Sequence, residues 1–397
     1  MAQKKIYVII DSMNWSKPGI RFRRHRLGEY LSNQKDTLEI LWVYPVNATP
    51  RKPKSYQLAD QIIKKNPFFK KRGIKEWALP DYLPGRIMRY KSNYGHPQFA
   101  KLNEYLNNSN AKKVLWFAYP AFPYLIEMID WDMTIYDCSD LWVEPSGGSR
   151  SGAFSSRFAK GLIESAEKKV IKYSNIIFAS SDFLAERIET VSGRQAITVE
   201  NGVDYSYFQK TDCKNTVVLD NIPEPKLGYV GAIRSKIDLS LIEELACFEP
   251  NWSIVLIGPD CLSEKSVFKR LAQRDNVFWT GEVDSAKIPD YIKALDVGLL
   301  PYRDLEYNKA VFPIKFYEYL SQGVPVVGCG LPSTKKYSEN GIYLHVERDC
   351  FPQACKKALC WSTGDHNSYL NRRIKLAQKA SWENKFNYML EKIRDYA

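Results

Sequence analysis

Short runs of apolar, β-prone residues alternate with helix-like stretches along nearly the whole chain. A first series of such runs covers 6–10, 38–44, 114–118, 133–137, 175–179 and 196–199. A second series covers 227–230, 253–257, 277–279, 297–300, 324–327 and 342–346. Strands that alternate with helices are typical of a parallel sheet with helices on both faces. We therefore predict an α/β fold with two Rossmann-like, doubly wound parallel-sheet domains.

The two series also divide the chain. Its 397 residues allow two or three folding units, at roughly 150 residues per domain. Between the series, the sequence Asn-Ile-Pro-Glu-Pro at 221–225 has the turn chemistry and proline content of a linker. We predict a first domain over 1–205, a linker over 206–225, a second domain over 226–372 and a helical segment over 373–397 that packs back toward the first domain. Open α/β sheets bind ligands beyond the carboxyl ends of their strands, so a ligand is expected in a cleft where the two domains face each other.

The N-terminal apolar run and the cysteines suggest where the protein works. The run at 6–10 ends at Asp11, far short of the ~20 residues that span a bilayer, and no signal-peptide cleavage region follows. The eight cysteines contain no Cys-x-x-Cys pair, and their spacing matches no usual zinc site. We therefore expect a cytoplasmic protein with reduced cysteines and no metal ion.

Basic residues are concentrated in the N-terminal part of the chain. Residues 1–110 hold 21 Lys and Arg against 8 Asp and Glu, and 51–91 hold 12 against 3. Apolar side chains such as Phe68, Ile74 and Trp77 are interleaved with these charges. A basic amphipathic segment with exposed aromatics can lie on an anionic membrane, and we predict this role for 51–91. A solvated face is the alternative, and no nucleic-acid-binding motif accompanies the charge.

The stretch 312–327 contains the most informative motif. Pro313 suits the first turn of a helix, Gly323 suits its C-terminal cap, and a strand follows. Lys315 would then lie in the first turn, where backbone N–H groups already favour an anion, so we interpret it as a phosphate ligand. Glu318 lies on nearly the same face and could accept hydrogen bonds from two sugar hydroxyls. An ordinary i,i+3 ion pair between Lys315 and Glu318 is the alternative.

Two glycine-containing turns are further candidates for ligand contact. Gly231 ends a predicted strand, and Arg234 follows in the turn, where it could reach a diphosphate. Gly258 and Pro259 end the next strand in a backbone that could lie close to a flat base or a sugar. Simple tight turns between strand and helix explain both sequences equally well, because a loose Gly-x-x-Gly is weak evidence.

Polar residues after the first strand are candidates for binding an anionic acceptor. Gly19 would give space for a ligand, and Arg24, near the start of the following helix, could hold a negative charge. His25 could act as an acid or base, although a single His without an identified partner is more often structural. Solvated arginines on a helix surface are the alternative for Arg24.

Two carboxylates follow another predicted strand, at 133–137. Asp137 and Asp140 would point toward the same rim, where they could bind an acceptor hydroxyl or polarise it. Capping of a helix N-terminus by Asp140 is an equally physical explanation. The turn at 201–204, Asn-Gly-Val-Asp, is interpreted as structural.

These pieces, in this order, resemble glycosyltransferases of the group 1, family 4 type, which have the GT-B fold. The matching parts are Gly19 with the Arg-Arg-His sequence ending at His25, and the segments 136–140, 180–184, 201–204, 228–232 and 313–327. The resemblance covers almost the whole chain. Within the family the chain looks most similar to bacterial envelope-polysaccharide transferases, including those of teichuronic acid synthesis.

The resemblance implies a function and a mechanism. Similar enzymes bind a nucleotide diphosphate sugar in the C-terminal domain and the acceptor in the N-terminal domain. They usually transfer a hexose-type sugar with retention and without a metal or other cofactor. On this chain, Lys315 and Arg234 would stabilise the departing diphosphate and Glu318 would hold the ribose. A lipid-linked glycan at the inner face of the membrane is the expected acceptor.

The chain departs from the family pattern at two positions. Family members commonly carry a first glutamate eight residues before the second, and Ala310 stands there in this sequence. The usual downstream lysine of the glycine-rich turn is matched only approximately by Lys236. Two alternatives therefore stay open, which are a nucleotide-sugar epimerase on the same fold and a non-catalytic nucleotide-sugar-binding subunit.

Overall fold

The computed structural model describes residues 3–15, 22–47, 69–71, 73–81, 89–90, 97–144, 153–210, 219–262, 266–363 and 366–396. The chain forms two compact units. The first comprises Met1–Glu144, Arg150–Val199 and Tyr388–Ala397, and the second comprises Pro145–Ser149 and Glu200–Asn387. The described part of the predicted linker, 206–225, groups with the second unit, and its residues 211–218 lie outside the described residues. The domain boundaries drawn from the sequence stay predictions.

The first unit contains an eight-stranded sheet in the order β3-β4-β2-β1-β5-β6-β7-β8, parallel except for the antiparallel pair β3 and β4. Its strands are β1 (Lys5–Ile10), β2 (Thr37–Asn47), β3 (Phe69–Lys71), β4 (Ile74–Asp81), β5 (Lys112–Phe117), β6 (Met133–Cys138), β7 (Ile176–Ala179) and β8 (Ile197–Thr198). Its helices are α1 (Arg23–Ser32), α2 (Pro97–Asn107), α3 (Leu125–Met128), α4 (Ala153–Tyr173) and α5 (Asp182–Ser192). The apolar residues of β1 and all of β6 are buried, as expected for parallel strands covered on both faces.

The second unit contains a six-stranded parallel sheet in the order β11-β10-β9-β12-β13-β14. Its strands are β9 (Lys226–Val230), β10 (Ser253–Ile257), β11 (Val277–Gly281), β12 (Val297–Pro301), β13 (Val326–Cys329) and β14 (Tyr343–His345). Its helices, numbered on in chain order, are α6 (Tyr205–Phe208), α7 (Leu239–Phe248), α8 (Ser266–Leu271), α9 (Ile288–Lys293), α10 (Glu306–Lys309), α11 (Ile314–Ser321), α12 (Phe351–Thr363) and α13 (His366–Lys379). The last helix, α14 (Trp382–Tyr396), begins in this unit and ends in the first.

The predicted fold class is confirmed. Each of the twelve apolar runs forms a strand within a few residues of its predicted position. Strands β3 and β4 were not predicted, and they lie in the basic stretch assigned to the membrane surface. Three short 3₁₀ turns complete the second unit, at Ser285–Lys287, Pro332–Tyr337 and Arg348–Cys350.

The basic stretch 51–91 is partly folded into the first sheet. Ile74 and Trp77, predicted to belong to an exposed amphipathic surface, are only 1% and 0% exposed in β4, so that part of the prediction is wrong. Arg89 is also buried, and its guanidinium pairs with Asp81 at 2.6 Å. Most of the remaining residues of 51–91 lie outside the described residues. In the described part of the chain, no helix has both the length and the hydropathy needed to cross a bilayer.

Candidate functional site

Helix α11 places the predicted phosphate ligand. The helix begins at Ile314, with Pro313 as its N-cap residue rather than in the first turn as predicted. It ends at Ser321, and Gly323 beyond it has φ 78°, a left-handed conformation that favours glycine. Lys315 is therefore the second residue of the helix, where backbone N–H groups have no partner within the helix.

Gly231 leaves the space that Lys315 occupies. A Cβ atom at Gly231 would lie 2.6 Å from Nζ of Lys315 and would overlap its Cε. The backbone of Gly231 also has φ 135°, which other residues rarely adopt. The Nζ of Lys315 lies 5.9 Å from the centre of the Tyr229 ring. The lysine ammonium is thus held directly over the turn that follows β9.

A second glycine turn packs against the first. Gly258 has φ 137°, and a Cβ atom there would lie 2.7 Å from the carbonyl carbon of Gly231. The N–H of Gly231 donates to the carbonyl oxygen of Ile257 at 2.7 Å, and the N–H of Ile233 donates to that of Pro259 at 2.9 Å. These backbones approach each other because β10, β9 and β12 are neighbours in the sheet, so their carboxyl ends meet at one edge.

The positive charges of Lys315 and Arg234 lie close enough to act on each other, and the charge of Glu318 acts on Lys315 from within the same helix. Arg234 is exposed, and among the described residues neither Arg234 nor Lys315 forms an ion pair. Burial lowers the pKa of Lys315, the charge of Arg234 lowers it further, and Glu318 acts in the opposite direction. The simple ion pair between Lys315 and Glu318, the alternative drawn from the sequence, is therefore not formed. Two neighbouring cations beside backbone N–H groups are suited to a multiply charged anion.

The predicted acceptor residues after β1 are engaged within the protein. Nε of Arg24 lies 2.6 Å from Oδ2 of Asp11, a fully buried carboxylate whose pKa is raised by burial and lowered in part by Arg24. His25 is 1% exposed and packs between the rings of Trp15 and Trp42 at 5.3 and 5.1 Å. Gly19 lies outside the described residues. The structure therefore shows Arg24 and His25 as packing and pairing residues of the first unit.

Asp137 and Asp140 do not share one environment. Asp137 is 1% exposed and pairs with Arg23 at 2.9 Å, while Arg23 also donates to the carbonyl oxygen of Val199 at 2.6 Å. Asp140 is half-buried and accepts from the N–H of Leu141 at 2.9 Å. The expectation that the two carboxylates point toward the same rim is wrong, because Asp137 is enclosed by its pairing with Arg23. No described helix begins at Asp140, so capping does not explain it either.

The structure adds to the sequence interpretation at Lys236, named there only as an approximate match to the family's lysine, and at an aromatic group that was not predicted. Nζ of Lys236 lies over the rings of Tyr302 and Tyr307, at 5.6 and 5.7 Å, which gives this lysine a defined place beside the second unit's site. Aromatic residues also gather after β5 and β6 in the first unit. The signal for them was the sequence Tyr-Pro-Ala-Phe-Pro-Tyr at 119–124, which combines aromatic rings and prolines in a single loop.

Comparisons with known proteins decide the family. A family model for group 1 glycosyl transferases matches residues 224–363, the part that contains Gly231, Gly258 and Lys315. The whole chain is 35% identical over 399 residues to TuaH of Bacillus subtilis (strain 168), covering 97% of this chain and 96% of TuaH. The chain belongs to the group 1 glycosyltransferases. TuaH itself is named, provisionally, as a glycosyltransferase of teichuronic acid biosynthesis.

Solved structures confirm the fold of this glycosyltransferase. Anabaena Alr3699/HepE, crystallised with UDP and glucose, superposes with a TM-score of 0.67 at 14% identity, covering 99% of this chain and 100% of that one. Sucrose-phosphate synthase from Thermosynechococcus elongatus superposes with a TM-score of 0.69 at 15% identity, covering 99% of each chain. Such likenesses establish the GT-B fold that the sequence predicted.

Proposed function

We propose that this glycosyltransferase moves a hexose-type sugar from a nucleotide diphosphate sugar to a lipid-linked glycan in cell-envelope polysaccharide synthesis. The observation that carries the proposal is the ammonium of Lys315, held over Gly231 at the start of α11 without a direct ion pair to a carboxylate among the described residues. A diphosphate is the leaving group that such a site would stabilise. The relation to TuaH supports the polysaccharide part, and the UDP complex of Alr3699/HepE supports a UDP-sugar as donor.

The proposed mechanism depends on charge that develops as the sugar leaves. As the bond between the anomeric carbon and the diphosphate oxygen breaks, the acceptor's hydroxyl oxygen bonds to that carbon. Negative charge grows on the departing diphosphate, and Lys315 and Arg234 are placed to stabilise it. Losing one such preorganised donor typically costs ~3 kcal/mol in the transition state. In this scheme Glu318 holds the ribose hydroxyls, and a phosphate oxygen accepts the acceptor's proton. The transfer then proceeds with retention, and the protein's cations provide the charge stabilisation without a metal ion.

The nucleotide part of the donor would lie along the adjoining turns. Gly258 and Pro259 give a backbone surface without side-chain bulk beside Gly231, which suits close approach by a base or sugar. Ala310, at the position of the family's first glutamate, is 1% exposed. Contacts to the transferred sugar therefore come from other residues than in typical relatives.

The lipid-linked acceptor places the enzyme at the inner face of the membrane. The N-terminal 110 residues carry 21 Lys and Arg against 8 Asp and Glu. Basic residues near an anionic membrane contribute about 1 kcal/mol each, and this attraction falls as salt is added. With Ile74 and Trp77 committed to the core, the proposed attachment of 51–91 is mainly electrostatic.

Nucleotide binding gives the first test. UDP, GDP and their sugar conjugates are screened for an increase in melting temperature, because a ligand that binds only the native state at about 100 times its Kd adds about 2.7 kcal/mol to stability. At least one nucleotide should stabilise the wild type, and Lys315→Ala should abolish most of this gain. Lys357→Ala, at an exposed position on α12, is the matched control and should behave as wild type.

Product analysis and vesicle binding test the rest. The nucleotide sugar that stabilises the protein is incubated with bacterial lipid-linked glycan, and sugar should be transferred with retained configuration in the presence of a chelator. Isomerised donor in the absence of acceptor would instead indicate an epimerase. Binding without transfer or hydrolysis would indicate a non-catalytic subunit.

Vesicle sedimentation tests the proposed membrane attachment. The protein should sediment with anionic vesicles but not with neutral ones, and added salt should release it from the anionic vesicles.

A further inference from the structure

Three aromatic side chains meet beyond the carboxyl ends of strands in the first unit. Tyr119 comes two residues after β5, and Trp142 comes four residues after β6, the neighbouring strand. Tyr90 comes nine residues after β4 in the chain and contacts Tyr119. We call these three residues the aromatic cluster. Its position matters because open parallel sheets bind ligands at this edge.

The members of the aromatic cluster contact each other edge-on and through their hydroxyls. The rings of Tyr119 and Trp142 are 4.8 Å apart and nearly perpendicular, at 84°. Tyr90 and Tyr119 share a short hydrogen bond between their hydroxyls. All three residues are half-buried, so each keeps some surface exposed to solvent. Aromatic side chains that only fill a core are usually more deeply enclosed, as Phe122 is at 0% exposure.

The backbone beneath the aromatic cluster is held under strain. Phe122 has φ 53°, and it is a non-glycine residue with positive φ in the described part of the chain. Its N–H donates to the carbonyl oxygen of Arg89 at 2.5 Å, which ties the loop after β5 to the residue before Tyr90. Arg89 is in turn fixed by its buried pair with Asp81. Strained backbone of this kind persists where surrounding contacts enforce it, and it is common at binding sites.

The aromatic cluster also contains an unsatisfied donor. Nε1 of Trp142 is shielded from solvent and has no hydrogen-bond partner among the described residues. Most shielded donors in proteins are paired, so an unpaired indole N–H calls for an explanation. Because the nitrogen is shielded, a ligand hydroxyl reaches it after a small shift of the atoms that cover it, and then supplies the missing acceptor.

We propose that the aromatic cluster is a saccharide-binding subsite, on which one pyranose ring of the acceptor glycan stacks. A pyranose has a face of C–H groups and a rim of hydroxyls. The face of one of the two perpendicular rings, Trp142 or Tyr119, matches the first, and the indole N–H and the two phenol hydroxyls match the second. A lipid tail fits less well, because it would leave those polar groups without partners in an apolar contact. The inference rests on the proposed function, since it assigns the acceptor's sugar to the first unit.

The test measures saccharide and nucleotide binding separately on the same variants. The probes are the methyl glycosides of glucose, galactose and N-acetylglucosamine, followed by saturation-transfer NMR, and UDP, followed by calorimetry. The wild type should bind at least one glycoside at millimolar concentration. Trp142→Phe, which keeps an aromatic face but loses the N–H, should weaken this binding several-fold, and Trp142→Ala should weaken it about tenfold or more, about 1.4 kcal/mol per factor of ten.

Trp131, at the amino ends of the strands of the same sheet, provides a matched control. Trp131 is also half-buried, precedes β6, and donates through Nε1 to the carbonyl oxygen of Leu125 at 2.8 Å. Trp131→Phe should leave glycoside binding unchanged. UDP affinity should be unchanged in all variants, because the nucleotide site is assigned to the second unit.

The outcomes separate the subsite from the proposed function. Wild-type protein that binds UDP but none of the glycosides overturns the subsite and leaves the proposed function standing. Unchanged glycoside binding in Trp142→Ala, or equal losses in Trp142→Phe and Trp131→Phe, also overturns it. Wild-type protein that fails to bind UDP counts against the proposed function instead. If Trp142→Ala does not fold, Trp142→Phe and Tyr119→Phe decide the question, since both keep an aromatic ring in place.

Discussion

The Nζ of Lys315 lies where a side chain on Gly231 would have to go. A Cβ atom on Gly231 would be 2.6 Å from this nitrogen, although 84 residues separate the two positions in the sequence. The contact arises because Gly231 follows β9 while Lys315 follows β12, and these two strands are neighbours in the parallel sheet. The absence of a side chain at one residue therefore sets the position of the charge on the other.

This relationship predicts that Gly231→Ala weakens diphosphate binding. The added methyl group would overlap Cε of Lys315 and displace the ammonium from the turn. Titration with UDP by calorimetry should show a loss of affinity of about tenfold or more, as expected if one charged hydrogen-bond donor is misplaced.

Gly281→Ala provides the control for backbone strain. Gly281 also has a positive φ, 72°, but a Cβ atom there would meet nothing within 4 Å. Both variants should lose about 1 kcal/mol or more of stability from the unfavourable φ. Only Gly231→Ala should also bind UDP more weakly. An equal loss of UDP affinity in both variants would contradict the contact between Gly231 and Lys315.

The lowered pKa of Lys315 predicts opposite effects of pH on binding and on stability. As pH rises through this pKa, which lies below the usual 10.5, the folded protein loses the charge that attracts the diphosphate, so UDP affinity should fall. Over the same window the unfolded chain keeps the proton longer than the folded protein, so Lys315 should contribute a gain in stability as pH rises. Calorimetric affinities and urea midpoints measured between pH 7 and about pH 10 would check both signs.

Lys315→Met separates this effect from the ionisation of the ligand. UDP titrates identically in both experiments, and methionine carries no proton to lose. The ratio of wild-type to variant affinity should therefore decline as pH rises. A ratio that stays constant across the window would show that Lys315 does not titrate there or does not contact the ligand.

The sequence was sufficient to predict the sheets because their parallel strands are almost wholly apolar. The run at 253–257 coincides with β10, all of which is buried. Strand β4 escaped prediction because Lys75 and Glu76 interrupt its apolar residues, so that Trp77 was interpreted as part of a surface. The turns at Gly231 and Gly258 could be predicted for a related reason. Each follows a recognisable strand, and the carboxyl ends of neighbouring parallel strands meet at the same end of the sheet.

The sequence does not reveal that Asp137 and Arg24 form ion pairs within the protein, and their roles in acceptor binding stay predictions. Arg23 and Asp137 are 114 residues apart, and nothing local in the sequence indicates that one neutralises the other. The same holds for Arg24 and Asp11, whose pairing depends on how α1 packs after β1. Single charged residues after strands are compatible with both ligand binding and internal pairing, and only the folded structure distinguishes the two.

The buried pair between Arg23 and Asp137 predicts that Arg23 contributes far more to stability than Arg26, one turn further along α1. Arg23→Met leaves the carboxylate of Asp137 buried without its partner, which should cost about 3–5 kcal/mol. Arg26→Met removes a half-exposed i,i+3 pair with Glu29, and such pairs are worth about 0–1 kcal/mol. Urea unfolding followed by tryptophan fluorescence should show the contrast.

A double replacement checks the cause of this loss. Arg23→Met combined with Asp137→Leu removes both charges and should recover part of the stability, because a buried pair replaced by apolar residues is often nearly neutral. A double variant no more stable than Arg23→Met alone would mean that other contacts of Arg23, such as its hydrogen bond to Val199, account for the loss rather than the charge of Asp137.

A second buried carboxylate, Glu200, should tolerate the loss of one partner but not the loss of its charge. Glu200 is 5% exposed and receives Lys336 at 2.6 Å, Lys385 at 3.5 Å and the hydroxyls of Tyr317 and Tyr337. Glu200→Gln keeps the shape but weakens these charge-assisted contacts, which should cost about 1–3 kcal/mol. Lys336→Ala should cost at most about 1 kcal/mol, because its side chain is 44% exposed and three partners remain. Thermal unfolding should therefore show a larger loss of stability in Glu200→Gln than in Lys336→Ala. The opposite order would show that the lysine, and not the carboxylate, organises the cluster.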